Sequence, residues 1–88
     1  MVEKIIIIRN EDGLHARPAG VLAKTATTFQ AQIEIRSQGT TKSAKSIMGI
    51  MSLGLEKGSE ITLTANGPDE EAAIRVISEL AESGFAHA

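Results

Sequence analysis

The chain has 88 residues, enough for one small domain with a thin core, and a stability on the order of 5 kcal/mol is expected of such a domain. Nine basic against eleven acidic residues leave a formal charge of −2, and there is no Trp, no Tyr and only two Phe. That balance argues against nucleic-acid binding, which normally needs a basic stripe or stacking aromatics. The lack of cysteine excludes disulfides, thiolate metal sites and cysteine catalysis. No apolar run reaches the length of a signal peptide core or a membrane span, so a cytoplasmic protein without membrane insertion is expected.

From the N-terminus, Val2 to Ile8 is β-branched and apolar and reads as a strand. The unbroken run Ile5-Ile6-Ile7-Ile8 suggests a central strand rather than an edge. Asn10-Glu11-Asp12-Gly13 is a turn cluster. Pro18 fits the first position of a helix, with Arg17 before it extended. Ala19, Leu22, Ala23, Ala26 and Phe29 then recur at helical spacing on one face. Ala31, Ile33 and Ile35 alternate with polar residues as a half-buried strand, and Thr40 to Ser43 reads as a short partner strand after a turn. Ser46 to Ser52 is a candidate short helix, and Ile61, Leu63 and Ala65 mark the last strand. Asp69 is placed to cap a final helix whose apolar stripe is Ala73, Val76, Ile77, Leu80 and Ala81. Gly84 is placed to end that helix in the left-handed conformation, with Phe85 folding back onto it.

The resulting order is β-α-β-β-α-β-α. Strands with one wet face and amphipathic helices predict an α+β fold, a four-stranded antiparallel sheet with helices packed on one face. No repeat, linker or low-complexity segment divides the chain, so residues 1–88 are read as one domain.

The stretch Gly13-Leu14-His15-Ala16-Arg17-Pro18-Ala19-Gly20 carries the chemistry. A helix N-terminus presents free N–H groups and a positive partial charge, and so attracts anions. None of Leu14, His15, Ala16 and Arg17 is a good N-cap, which leaves the N–H groups at Ala19 and Gly20 open to a ligand. Arg17 adds charge-assisted hydrogen bonds suited to phosphate oxygens. His15 is a nucleophile in the same loop, although a surface histidine in a turn fits the sequence too. The second histidine, His87, lies in the tail. There is no carboxylate cluster for Mg²⁺ and no phosphate loop with Gly-Lys-Ser/Thr, which argues against direct use of ATP.

Ser46 reads as the N-cap of the short helix and, alternatively, as a regulatory phosphosite, since phosphate is favoured at a helix N-terminus. In that helix Ile50 is the core candidate. Ile47, Met48 and Met51 are expected to form an exposed patch near His15, though plain core filling fits equally well. Methionine-rich patches adapt to unlike partners.

At this point the sequence resembles the HPr family, the histidine-containing phosphocarriers of the bacterial sugar phosphotransferase system. The resemblance covers essentially the whole chain. It rests on Gly13-Leu14-His15-Ala16-Arg17-Pro18-Ala19, on Lys45-Ser46-Ile47-Met48-Gly49-Ile50-Met51-Ser52-Leu53-Gly54 and on Lys57-Gly58-Ser59-Glu60-Ile61-Thr62. It implies an open-faced β-sandwich and a phosphocarrier rather than an enzyme. His15 would accept phosphate on Nδ1 from phosphorylated enzyme I and pass it to IIA domains of sugar permeases. Arg17, with Pro18, Ala19 and Gly20, would hold the phosphoryl group, and neither cofactor nor metal is expected. Ser46 resembles the serine phosphorylated by HPr kinase/phosphorylase, whose product acts with the catabolite control protein in carbon catabolite repression. Ala16, Gly20, Ile47, Met48 and Met51 would dock partners, and a monomer is expected. Asp12 and Gly20 depart from the family pattern: a carboxylate at position 12 repels phosphate unless it points away or pairs with Arg17.

Other readings stay in view. A purely regulatory module would act through Ser46 alone, but relatives of that kind lack the active histidine, which is present here. A small RNA-binding α/β domain and a hydrolase acting through His15 fit the charge and the spacing less well.

Overall fold

The computed structural model of the chain describes residues 1–85, so His87 lies outside the described residues. The elements are β1 (Val2–Ile7), α1 (Ala16–Thr27), β2 (Gln32–Ser37), β3 (Thr40–Ser43), α2 (Ile47–Ser52), β4 (Glu60–Asn66) and α3 (Glu70–Glu82). The four strands form one antiparallel sheet in the order β1-β4-β2-β3. The inward residues Ile6, Ile33, Ile35, Ile61, Leu63 and Ala65 join Leu22, Ala26, Ile50, Ile77 and Leu80 from the helices in one core. This is the α+β architecture with helices on one face that the element order predicts. No helix among the described residues is long and apolar enough to cross a membrane.

The isoleucine run is an edge strand, not a central one. Side chains alternate across a strand, so a four-residue apolar run puts half of its members on each face. Ile6 and Ile8 are buried, whereas Ile5 and Ile7 are 59% and 41% exposed on the uncovered face. The run therefore reports composition and not burial on both faces.

The first helix begins two residues before the expected start. His15 occupies the N-cap position in extended conformation, Ala16 and Arg17 are already helical, and Pro18 is the third helical residue. A proline there forfeits no helix bond, because the first turn's donors have no partner inside the helix. Its ring disfavours a helical Arg17 without forbidding it.

Two features of the last helix also differ from expectation. Ile74 is buried in the stripe, while Val76 is only half-buried. Asp69 stands at the N-cap position but makes no cap bond. Its carboxylate instead accepts the Gln30 and Ala31 N–H groups, both at 2.8 Å. Lys45 Nζ donates to the neighbouring Phe29 carbonyl at 2.8 Å. The turn between α1 and β2 is thus gripped through its amides by an acid and through its carbonyl by a base. The end of α3 behaves as expected. Gly84 adopts φ +73°, its N–H reaches Ala81 O, and the N–H of the buried Phe85 reaches Leu80 O at 2.8 Å, the paired bonds of a Schellman cap.

The loop leading to His15 is fastened to the loop before β4. Ile8 N–H bonds Ser59 O, Gly58 N–H bonds Ile8 O, and Leu14 N–H bonds Leu55 O at 3.1 Å. Gly13, at φ +70°, lies so close that a Cβ would meet the Leu55 carbonyl oxygen and stand 2.9 Å from Glu56 Cα.

Gly13→Ala therefore combines left-handed strain with a backbone clash and is expected to cost about 2–3 kcal/mol in chemical denaturation. The Gln30 N–H, with help from Ala31 N–H and Lys45, holds the Asp69 carboxyl below its ordinary value against an opposing desolvation. A carboxyl depressed by folding adds stability above its unfolded value and loses it as pH falls through the folded value. Asp69→Asn is thus expected to lower the melting temperature at neutral pH. The gap to the parent protein should narrow as thermal unfolding is followed from about pH 5 to about pH 2.

Candidate functional site

The extended backbone at His15 (φ −80°, ψ −168°) leads directly into α1, and its side chain makes no capping bond. The first helix bond runs from Ala19 N–H to His15 O at 3.0 Å. Contrary to the expectation from the sequence, Ala19 N–H is therefore not free for a ligand, and Gly20 lies deeper still in the helix. Because the helix starts earlier, the open donors are the N–H groups of Ala16 and Arg17, while Pro18 has none. The anion-attracting end is shifted toward His15 itself.

His15, Ala16 and Arg17 are exposed, and Leu14 is buried beneath them. His15, Arg17 and Pro18 line an open cleft of about 290 Å³ together with Asn10, Gly84 and Phe85. The N-terminus of α1 thus faces the C-terminus of α3 across the cleft. Asn10 Nδ2 donates to Gly84 O at 2.6 Å and ties the two sides together. Asn10 is the lining residue that sequence reasoning missed. It sits in a turn cluster, and its partner is 74 positions away, so no local signal announces it.

Asp12 is exposed and forms no ion pair with Arg17 among the described residues. The neighbouring carboxylate of Glu11 pairs with Lys57 at 2.9 Å. An imidazole and a guanidinium therefore share an accessible cleft beside the open N-terminus of α1, which suits a tetrahedral oxyanion held at its edge. No group of three or more His, Cys, Asp or Glu with metal-binding geometry occurs among the described residues.

The second cluster lies on α2. Ser46 is its exposed N-cap, and its Oγ accepts Gly49 N–H at 3.0 Å. Ile50 is completely buried, whereas Ile47, Met48 and Met51 are 44%, 79% and 41% exposed. The Ile47 Cδ1 methyl stands 4.0 Å from where a Gly20 Cβ would lie, so the apolar patch adjoins α1 one turn beyond Arg17.

The family profile described as the PTS HPr component phosphorylation site matches residues 2–83. Among solved structures, HPr-C-His from Thermoanaerobacter tengcongensis is 46% identical with a TM-score of 0.94, over 100% of this chain and 99% of that one. The phosphocarrier protein HPr from Bacillus anthracis is 42% identical with a TM-score of 0.87, over 91% and 95% of the two chains. The catabolite repression protein Crh of Bacillus subtilis, described as a swapped dimer, is 36% identical with a TM-score of 0.77, over 96% and 97%.

Gly20 has helical backbone, and a Cβ there would meet only Ile47 Cδ1, at an ordinary contact distance of 4.0 Å. Gly20→Ala is accordingly expected to raise stability by about 0.5–1 kcal/mol, the opposite sign to Gly13→Ala, as paired denaturation curves can show.

Proposed function

Because the chain belongs to the HPr family of phosphotransferase-system phosphocarriers, we propose that His15 is its phosphoacceptor. Nδ1 of the imidazole attacks the phosphorus carried by phosphorylated enzyme I. A nitrogen–phosphorus bond forms on His15 as the bond to the donor breaks, and the donor leaves with the electron pair. The reverse geometry then delivers the phosphoryl group to a IIA domain of a sugar permease. Arg17 and the Ala16 and Arg17 N–H groups hold the charge that moves with it. Pro18 sets the first turn, and Ala19 and Gly20 keep it narrow enough for a partner to approach. The observation that carries this reading is the uncapped helix start in which His15 and Arg17 share one open cleft.

Partners dock on Ala16, Gly20, Ile47, Met48 and Met51, an apolar rim beside the cleft. Such an exposed, methionine-rich surface suits brief exchange with unlike proteins. The chain works as a cytoplasmic monomer in this reading. Ser46 is its regulatory phosphosite: a phosphate there meets the N-terminus of α2 and adds charge beside the docking rim. That form would be made by HPr kinase/phosphorylase and would serve the catabolite control protein.

The similarity to Crh favours a second reading, a regulatory module acting through Ser46 alone. One experiment separates them. The protein is incubated with enzyme I, Mg²⁺ and phosphoenolpyruvate and followed by intact mass and phosphorus NMR. The carrier reading expects one acid-labile phosphoryl group, absent from His15→Ala. No adduct beside a demonstrably active enzyme I overturns it and leaves the regulatory module.

A further inference from the structure

Lys42 and Gly49 frame the Ser46 hydroxyl, apart from the cleft around His15. Lys42 stands on the edge strand β3 opposite Ile35, which is buried, so its side chain leaves the sheet on the face that the helices cover. Its stem starts against α2. A Cβ on Gly49 would stand 3.4 Å from Lys42 Cβ and 3.2 Å from Ser46 Oγ. Two atoms 3.4 and 3.2 Å from one point are at most 6.6 Å apart. A phosphoryl group on Oγ covers part of that gap, and the flexible four-carbon stem of a lysine covers the rest. Lys42 is exposed and takes part in none of the ion pairs among the described residues. Lys45, the neighbour of Ser46 in sequence, is committed elsewhere, with Nζ on the Phe29 carbonyl at 2.8 Å.

Glycine is a costly choice inside a helix. Here it keeps the space between Ser46 and Lys42 open, since a methyl group at position 49 would crowd the Ser46 oxygen at 3.2 Å. The helix itself offers an anion little. It has six residues, and Gly49 N–H already serves Ser46 Oγ, which leaves the N–H groups of Ile47 and Met48. Those amides direct an anion but carry no net charge, whereas an ammonium supplies a full unit.

We propose that Lys42 is the counter-charge of a phosphorylated Ser46: its ammonium bonds the phosphoryl oxygens across the gap left by Gly49 and ties the start of α2 to β3. The assignment rests on the reading of Ser46 as a regulatory phosphosite. The mark is then an oriented ion pair and not a mobile dianion. A partner that reads it meets oxygens already held in one direction, which lowers the ordering cost of binding.

The test installs phosphoserine at position 46 during translation, so that no kinase is needed, and follows its phosphorus NMR signal against pH at low salt. Phosphoserine loses its second proton at about pH 6, and an adjacent cation lowers that value by favouring the dianion. Lys42→Gln is expected to raise the midpoint by about half a pH unit over the parent phosphoprotein, and Lys42→Arg to keep it low. The difference should vanish in about 1 M salt, which screens an exposed pair. Lys4→Gln removes the same charge from β1, at the opposite edge of the sheet, and should leave the midpoint unchanged. An unchanged midpoint in Lys42→Gln overturns the proposal and leaves the phosphate to the Ile47 and Met48 amides. An equal rise in Lys4→Gln overturns it too, because the effect is then one of net charge alone. The regulatory reading is tested apart. An HPr kinase/phosphorylase that is active on another HPr but leaves the parent Ser46 unmodified overturns that reading, and titration of the installed phosphoserine still decides the Lys42 contact.

Discussion

The approach of Gly13 to the Leu55–Glu56 backbone is the constraint on which the rest of the site depends. The chain leaves β1 at one edge of the sheet and must enter α1 above it within a few residues. It does so by pressing a residue without a side chain against the loop before β4 and bonding Leu14 N–H to Leu55 O. Leu14 then drops into the core, and His15, next in sequence, is turned outward at the start of the helix. A side chain at position 13 would push the whole segment away from β4, so the placement of the proposed phosphoacceptor follows from a packing contact two residues earlier.

The other end of α1 is held electrostatically. Asp69 accepts both amides of the following turn while Lys45 takes its carbonyl. The two charged residues come from the starts of α3 and α2, so one turn registers all three helices against each other. Side chains that bond several backbone groups of one loop remove much of its freedom, which matters in a chain with a thin core and no disulfide. The cost is that α3 begins without its side-chain cap, while Glu70 accepts Gly67 N–H and fastens the turn that precedes the helix.

Most of the fold is legible in the sequence because it rests on local periodicity. Ile33, Ile35, Ile61, Leu63 and Ala65 face inward at every second position, and Gly84 with Phe85 spells a helix stop. What is not legible involves partners distant along the chain. The isoleucine run gave no sign that β1 is an edge, since strand order is set by which helices cross over the sheet. Asp69 looked like a cap because its neighbours in sequence are helical, yet the amides it serves lie 38 and 39 positions away. The histidine, the arginine and the exposed methionines stand out locally. The exact donors of the anion site do not, because the helix start depends on how far the preceding loop is drawn in by Leu55.

The proposed chemistry explains why the molecule leaves one helix start uncapped and another capped. At α1 a side-chain cap would occupy the donors that an incoming phosphoryl group needs, and His15 in the cap position makes no such bond. At α2 the Ser46 hydroxyl already satisfies Gly49 N–H, so phosphate there must rearrange an existing bond. Under that proposal the two sites would respond to phosphate differently in kind. One would gain an anion where donors stand idle and give it up to the next partner. The other would add charge to a terminus already in use, next to Met48 and Met51, where it would alter which surfaces can approach. How long each phosphate stays would be set by its covalent link, a readily transferred nitrogen–phosphorus bond at His15 against a stable ester at Ser46, while the helix ends would only stabilise and orient the charge.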